Sequence, residues 1–403
     1  MKTERVGIEG RPRVLVLSSF FPPAYLAGGP IRSLEALITQ SNTPERFWVM
    51  TSNSDLARPG ILEVPTDQWI VKGGFHVWYQ RHGHVRSLVK ALIAEGRLRP
   101  DIIYVNSLWG MRYAALYLVL RRVRLTDSVL LLAPRGQLNE PALAIKPFKK
   151  KVSLAAMRVF GLLREVVMHV SSDEEAASVR SVLGDQVRII VSPNVMLVKG
   201  ADLSSLPLPT KVLRLIYIGR ISEIKGVHTL LQALCRIQTT SKVELDIYGD
   251  AIDAGYLTMC EGIARGTGPR VKVEFHGPVM HDEVSSLFLQ ADLFVLPTAS
   301  ENFGHVVGEA LANGCPVAVP DTTPWTSAVE KGGGWVLPDR EPSTVSATVE
   351  RAAKLSVEQR YQRKKAAAMA YREHLRHTPE GGLDRMMSGL APVSPSLSKH
   401  LHE

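Results

Sequence analysis

Twelve short apolar, β-branched runs alternate with segments of helical period along the whole chain, and no other property of the sequence restricts the fold as strongly. In the first half the runs predict strands at Arg13–Ser18, Phe47–Thr51, Phe75–Tyr79, Ile102–Asn106, Val129–Ala133, Val166–Val170 and Ile189–Val191. In the second half they predict strands at Leu213–Ile218, Glu244–Tyr248, Lys272–Phe275, Leu293–Leu296 and Val317–Val319. Strands apolar on both alternating faces, with helices between them, indicate parallel sheets covered on both sides. The stretch 198–211 (VKGADLSSLPLPTK), with two prolines and several small polar residues, breaks the rhythm once. The expected organisation is therefore an N-terminal domain over 1–198 and a C-terminal domain over 199–375. A closing crossover helix and a mobile tail (APVSPSLSKHLHE) complete the chain over 376–403. The fold class is α/β: two doubly wound, Rossmann-like domains with a ligand cleft expected at the carboxyl ends of their strands.

A length of 403 residues is too great for one ordinary core, which agrees with two domains. No apolar run reaches the roughly 20 residues needed to cross a bilayer. The best, Tyr113–Leu120, stops at Arg121 and Arg122. The opening MKTERVGIEGRPRV lacks the apolar segment and cleavage site of a secretory signal. Cys235, Cys260 and Cys315 are too few and too far apart for a disulfide framework or a zinc site, and they suit a reducing cytoplasm. The net charge of +9 is uneven, with +11 on residues 1–200 and −2 on 201–403, so one half is expected to face something anionic. No nucleic-acid-binding motif accompanies that charge. Its densest cluster, Lys146, Lys149, Lys150 and Lys151, leads into the apolar positions Val152, Leu154, Met157, Val159 and Phe160. This pattern fits either a contact with an anionic membrane surface or a solvated helix face beside a core stripe.

Two motifs in the second half carry chemistry. The first is Pro297–Pro324, PTASENFGHVVGEALANGCPVAVPDTTP, in which a strand end leads to a helix starting near Phe303–His305 and stopping at Asn313-Gly314. The backbone amides of Asn302, Phe303 and Gly304 are expected to favour an anion such as phosphate at the helix entrance. Glu301 and Glu309 flank that place. Carboxylates repel phosphate, but they accept hydrogen bonds from sugar hydroxyls. The second motif is Gly219-Arg220-Ile221-Ser222-Glu223-Ile224-Lys225-Gly226 at the end of a strand. There the Arg220 fork and the Lys225 point charge together suit a diphosphate.

Taken together, these motifs resemble the retaining glycosyltransferases of family 4, which have the GT-B fold of two facing Rossmann-like domains. The family pattern is an Arg and a Lys after the first strand of the C-terminal domain, then Glu-x7-Glu and Ala-Leu-Ala-x-Gly-x-Pro-Val. Here these are Arg220, Lys225, Glu301 and Glu309, followed by Ala310-Leu311-Ala312-Asn313-Gly314-Cys315-Pro316-Val317. The resemblance implies that Arg220 and Lys225 bind the donor diphosphate and that Glu301 and the following amides hold the sugar. It implies that Glu309 binds the ribose and that Val279, in Gly277-Pro278-Val279, lies near the base. Gly28-Gly29, before a helix opened by Pro30, matches the family's glycine loop at the diphosphate, where glycine allows close backbone approach. His169 matches a recurrent family histidine, and many members carry another where this chain has Asn106-Ser107-Leu108-Trp109. Asn106, Ser107, Arg135 and His169 are thus candidate sugar or acceptor contacts. Pro134-Arg135-Gly136 and the basic cluster look like a branch that builds bacterial surface polysaccharide on lipid carriers.

The expected activity is retaining transfer of a hexosyl group from a nucleotide-sugar to a glycan or polyprenyl-diphosphate-linked glycan. The expected location is cytoplasmic, at the inner face of the plasma membrane. No metal or other cofactor is expected, since no Asp-x-Asp motif occupies a strand-end loop and Arg220 and Lys225 supply positive charge instead. A nucleotide-sugar epimerase of the same fold is the alternative. The sequence argues against an NAD-dependent oxidoreductase, because no G-x-G-x-x-G follows the strands at Val14 or Leu213.

Overall fold

A computed structural model describes residues 12–26, 28–56, 60–82, 86, 90, 98–109, 128–144, 147–163, 165–196, 198–251, 253–321 and 323–377. The apolar stretch Tyr113–Leu120, Lys146 and the expected tail lie outside them. The chain divides into two compact units, the first running to Val195 and the second spanning Met196–Pro379.

The first unit is built on an eight-stranded sheet of order β3-β4-β2-β1-β5-β6-β7-β8. Its strands are β1 Val14–Ser18, β2 Phe47–Ser52, β3 Trp69–Lys72, β4 Phe75–Gln80, β5 Ile102–Asn106, β6 Val129–Ala133, β7 Val167–Val170 and β8 Arg188–Val191. All pairs are parallel except β3 with β4. The described helices are α1 Gly29–Thr39, α2 Glu140–Ala144, α3 Pro147–Val159 and α4 Asp173–Leu183. β1, β5 and β6 are buried at every position, which is why their sequences show no alternation.

A six-stranded, wholly parallel sheet of order β11-β10-β9-β12-β13-β14 forms the second unit. It comprises β9 Leu213–Ile218, β10 Val243–Tyr248, β11 Val271–Gly277, β12 Leu293–Val295, β13 Val317–Pro320 and β14 Gly334–Leu337. Helices α5 Val227–Arg236, α6 Ala254–Ala264, α7 His281–Gln290, α8 His305–Ala312, α9 Pro342–Ala353 and α10 Val357–His377 complete it. One core cluster runs from Met196 to Tyr371 and includes the fully buried Trp325. Two buried cations tie α10 to this core. Arg360 pairs with Asp292 at 2.9 Å, and Lys364 donates to the carbonyls of Leu289 and Ala291 at 2.8 and 2.6 Å.

The twelve expected strands are present, with ends shifted by at most two residues. Two further strands, β3 and β14, were not expected. β3 is a four-residue, partly exposed edge strand that reaches β4 through Gly73-Gly74, both at positive φ. β14 follows a glycine run that reads as a turn. A Cβ on Gly334 would lie 1.9 Å from the Val317 carbonyl oxygen, so glycine is what lets this strand pair with β13.

Candidate functional site

Four loops meet at the carboxyl ends of the second sheet. Backbone bonds join three strand ends in series, from Gly219 N–H to Tyr248 O at 3.0 Å and from Gly249 N–H to Gly277 O at 2.7 Å. A Cβ on Gly249 would fall 1.8 Å from Gly219 O, so this approach requires glycine. Ile221 N–H donates to Asp250 O at 3.0 Å, and the Tyr217 hydroxyl donates to Arg220 O at 2.8 Å. Burial raises the Tyr217 pKa well above its ordinary value, which keeps that hydroxyl a donor. The Arg220 backbone is therefore held from below while its side chain stays exposed.

The segment after β12 packs onto this loop. Ala299 N–H and the Thr298 hydroxyl both donate to Ile224 O, at 2.7 and 3.2 Å. Gly226, at φ +73°, is so close that a Cβ would sit 2.2 Å from Pro297 O. These bonds bring Lys225 and Glu301, 76 positions apart in sequence, into a direct ion pair between Nζ and Oε1. Their side chains are 17% and 13% exposed, shielded but reachable.

Helix α8 begins at His305 after Gly304, which has φ +71°. Glu301 thus lies on the loop and Glu309 inside the helix, where Glu309 is only 3% exposed. The loop is fixed from beneath by Trp325, whose indole N–H donates to Phe303 O at 2.8 Å. Its ring lies against Gly308, where a Cβ would be 2.4 Å from Trp325 Cζ2. Trp325 carries no signal in the sequence motifs, because its role comes from a contact 22 residues away. Asn302 and Val279 are half-buried, and Phe303 is 9% exposed.

In the first unit, Gly28 adopts φ +76° as the cap of α1, and a Cβ there would meet nothing within 4 Å. The other candidates form an internal network. Arg135 donates through Nε to Asn106 Oδ1 at 2.8 Å, through Nη1 to Asn194 Oδ1 at 2.5 Å, and through Nη2 to the Tyr104 oxygen at 2.8 Å. The Asn106 amide reaches Ser18 Oγ and Pro30 O, both at 3.3 Å. Tyr104 O–H lies 2.8 Å from His169 Nδ1, and His169 Nε2 lies 3.1 Å from Ser192 O. Burial, reinforced by the Arg135 charge, lowers the His169 pKa to about 3 and so keeps the ring neutral. A neutral tautomer accepting at Nδ1 and donating at Nε2 satisfies both contacts.

In this structure His169 faces the interior. It is 3% exposed with both nitrogens engaged, so it braces the strand ends and leaves no atom for a ligand. Arg135 and Asn106, 9% and 4% exposed, are likewise committed inward. Ser107, at φ +99°, is half-buried, and its hydroxyl accepts from Gln137 Nε2 at 2.8 Å. Sequence reasoning gave no part to Glu175. Its buried carboxylate accepts from Gly136 N–H at 2.5 Å and from the Ser171 N–H and hydroxyl, both at 2.8 Å.

Among the described residues, one group of side chains has its potential metal-ligand atoms close together: Asp246, Glu274 and His276 on β10 and β11. These groups are already paired, His276 with Asp246 at 2.7 Å and Glu274 with Lys272 at 2.7 Å. They belong to the strands themselves and not to the strand-end loops.

The family described as Glycosyl transferases group 1 matches residues 199–369, the part of the chain that carries these loops. A D-inositol 3-phosphate glycosyltransferase of Streptomyces griseus is 30% identical over 212 residues, covering 50% of this chain and 43% of that relative. An uncharacterised glycosyltransferase of Methanocaldococcus jannaschii is 32% identical over 139 residues, covering 34% of this chain and 35% of its own length. The chain thus matches less than half the length of either relative. Sucrose-phosphate synthase from Thermosynechococcus elongatus has a similar structure, with TM-score 0.68 and 16% identity, covering 96% of this chain and 98% of that one. Anabaena HepE in complex with UDP-glucose gives TM-score 0.65 and 18% identity, covering 96% and 100%. WaaG, a glycosyltransferase involved in lipopolysaccharide biosynthesis, gives TM-score 0.63 and 14% identity, covering 94% and 98%. These likenesses establish the fold, and the epimerase alternative gains no support from them. Residues 199–369 form a glycosyltransferase group 1 domain, in a chain that has the α/β fold of the GT-B glycosyltransferases.

Proposed function

We propose that this protein is a retaining glycosyltransferase that moves a hexosyl group from a nucleotide-sugar to a glycan or polyprenyl-diphosphate-linked glycan. The observation that carries the reading is the meeting of Lys225 and Glu301, which joins the cationic loop and the Glu-x7-Glu loop in one place. Arg220 and Lys225 bind the donor diphosphate and stabilise the charge that grows on it as the sugar departs. Glu301 turns from Lys225 toward the sugar hydroxyls and fixes the orientation of the ring. Asn302, Phe303 and Gly304 lend the amides of the α8 entrance, Val279 borders the base, and Glu309 takes the ribose. The first unit serves the acceptor.

Transfer proceeds at the front face of the sugar. The bond from the anomeric carbon to the diphosphate oxygen breaks, the acceptor oxygen bonds to that carbon, and its proton passes to the departing oxygen. No metal is required, because the two cations carry the compensating charge. The product enters cell-surface polysaccharide assembly at the cytoplasmic face of the membrane. This placement is supported by the excess of positive charge in the first 200 residues. Among the described residues, no helix is long and apolar enough to cross a membrane.

The testing experiment is a thermal-shift screen of UDP-, GDP- and ADP-sugars, followed by assay of nucleotide release with and without a glycan acceptor. A donor at about 100 times its dissociation constant adds roughly 2.7 kcal/mol of stability. Stabilisation by one nucleotide class with acceptor-dependent release supports the reading. Interconversion of the sugar without an acceptor contradicts it.

A further inference from the structure

Helix α3 carries apolar residues on two faces, and only one of them is used by the fold. Leu154 and Met157, 7% and 5% exposed, pack into the core cluster of the first unit. The opposite face presents Phe148 at 79%, Val152 at 54% and Val159 at 82% exposure, with Ala155 and Ala156 exposed between them. Their spacing of three to four residues makes one continuous stripe along the helix. Other exposed large apolar side chains, such as Val71, Leu208 and Met280, lie far apart in sequence on other segments. The stripe is bordered by exposed Lys149, Lys151 and Arg158, and the helix holds no acidic residue. A soluble helix has no reason to align a phenylalanine and two valines on one face toward water. A helix lying in a membrane interface does, because apolar side chains enter the acyl boundary while bordering cations meet anionic headgroups.

We infer that the outward face of α3 is a docking surface for an anionic lipid bilayer, with Phe148, Val152 and Val159 inserted below the headgroups. The charge favours this occupant over an apolar groove on another protein: three exposed cations flank the stripe, and residues 1–200 carry a net +11. The inference extends the membrane-side reading above, but its test does not use the transfer reaction. Attachment therefore has two separable parts, an apolar one that persists in salt and an electrostatic one that salt removes.

The experiment is co-sedimentation of the full chain with vesicles of phosphatidylglycerol and phosphatidylcholine, or phosphatidylcholine alone, at low and high salt. The wild type is expected to prefer the anionic vesicles and to keep part of its binding at high salt. The Phe148→Ser, Val152→Ser, Val159→Ser triple variant should lose about tenfold or more in partitioning at both salt concentrations. The Lys149→Gln, Lys151→Gln, Arg158→Gln variant should lose binding chiefly at low salt. Unchanged melting temperature and donor-induced stabilisation show that each variant is folded. If the triple variant is unstable, Phe148→Ser and Val159→Ser alone carry the same comparison at smaller magnitude. Wild-type partitioning by the apolar variant, or no binding of the wild type to anionic vesicles at low salt, overturns the inference. So does a wild-type dimer in light scattering that the apolar variant abolishes, since the face then belongs to a second copy of the chain.

Discussion

The contact between Trp325 and Gly308 allows a prediction in which two damaging changes relieve one another. Trp325→Phe removes the indole N–H from Phe303 O, a 2.8 Å bond to a fully buried ring. An orphaned buried carbonyl costs about 1–3 kcal/mol, and the missing ring atoms add roughly 1 kcal/mol, so the loss is about 2–4 kcal/mol. For a domain of this size, each kcal/mol moves the melting point by about 2–4 °C, which gives a fall of roughly 4–16 °C. Gly308→Ala places a Cβ 2.4 and 2.8 Å from Trp325 Cζ2 and Cη2 and 2.9 Å from Met196 Cε. Such overpacking costs about 1–3 kcal/mol, less about 1 kcal/mol regained from alanine's preference for helix. Phenylalanine has no atoms where Cζ2 and Cη2 lie, so in the double variant the new methyl occupies space the indole has left. The cycle should show a favourable coupling of about 1–2 kcal/mol. Thermal and denaturant unfolding of the four proteins measures it. Strictly additive losses would refute the packing argument, and an unchanged melting point for Trp325→Phe would refute the hydrogen-bond argument.

Other consequences follow from the site and its supports. Glu301→Gln should lower turnover by on the order of tenfold or more, since charge-assisted bonds to sugar hydroxyls are worth about 1.5–3 kcal/mol. NMR of its product should still show the donor's anomeric configuration, and intact-mass analysis should show no sugar on the protein. Transfer should persist in EDTA at about the untreated rate, and loss restored by magnesium or manganese would contradict the proposed role of Arg220 and Lys225. Burial holds the His169 pKa down at about 3 against the ordinary 6.5, so below pH 6.5 the unfolded chain binds the extra proton. Stability should therefore fall as pH drops from 6.5 toward 3, by on the order of 1 kcal/mol at pH 5.5, and His169→Gln should flatten that slope. Denaturant midpoints at pH 7.5 and 5.5 check it.

The legible parts of the molecule are those whose signal is local. Ile102–Asn106 and Val129–Ala133 are apolar at every position and bounded by polar residues, so run length and composition suffice. Arg220, Lys225, Glu301 and Glu309 are spaced within short motifs, so the sequence singles them out for the same reason. What they do to one another was not, because the Lys225–Glu301 pair depends on Gly226 and Pro297 coming together across 71 residues. His169 was singled out by the family resemblance, and its neighbours in sequence say nothing of Tyr104 and Arg135, which lie 65 and 34 positions away. On α3, a count of about 100° per residue already separates Val152 and Val159 from Leu154 and Met157. Treating them as one stripe hid the second face, which emerges only when burial is assigned. β14 escaped because a glycine run normally signals a turn, whereas here it permits backbone contact with β13.

The measurement that bears most directly on the central claim is the rate of nucleoside diphosphate release from the preferred nucleotide-sugar, with acceptor present, by the wild type and by Lys225→Ala. If Lys225 stabilises the leaving diphosphate, the variant should release nucleotide about a hundred- to a thousandfold more slowly while its melting temperature stays near that of the wild type. Release at the wild-type rate from a folded Lys225→Ala protein would show that the chemistry does not take place at these loops.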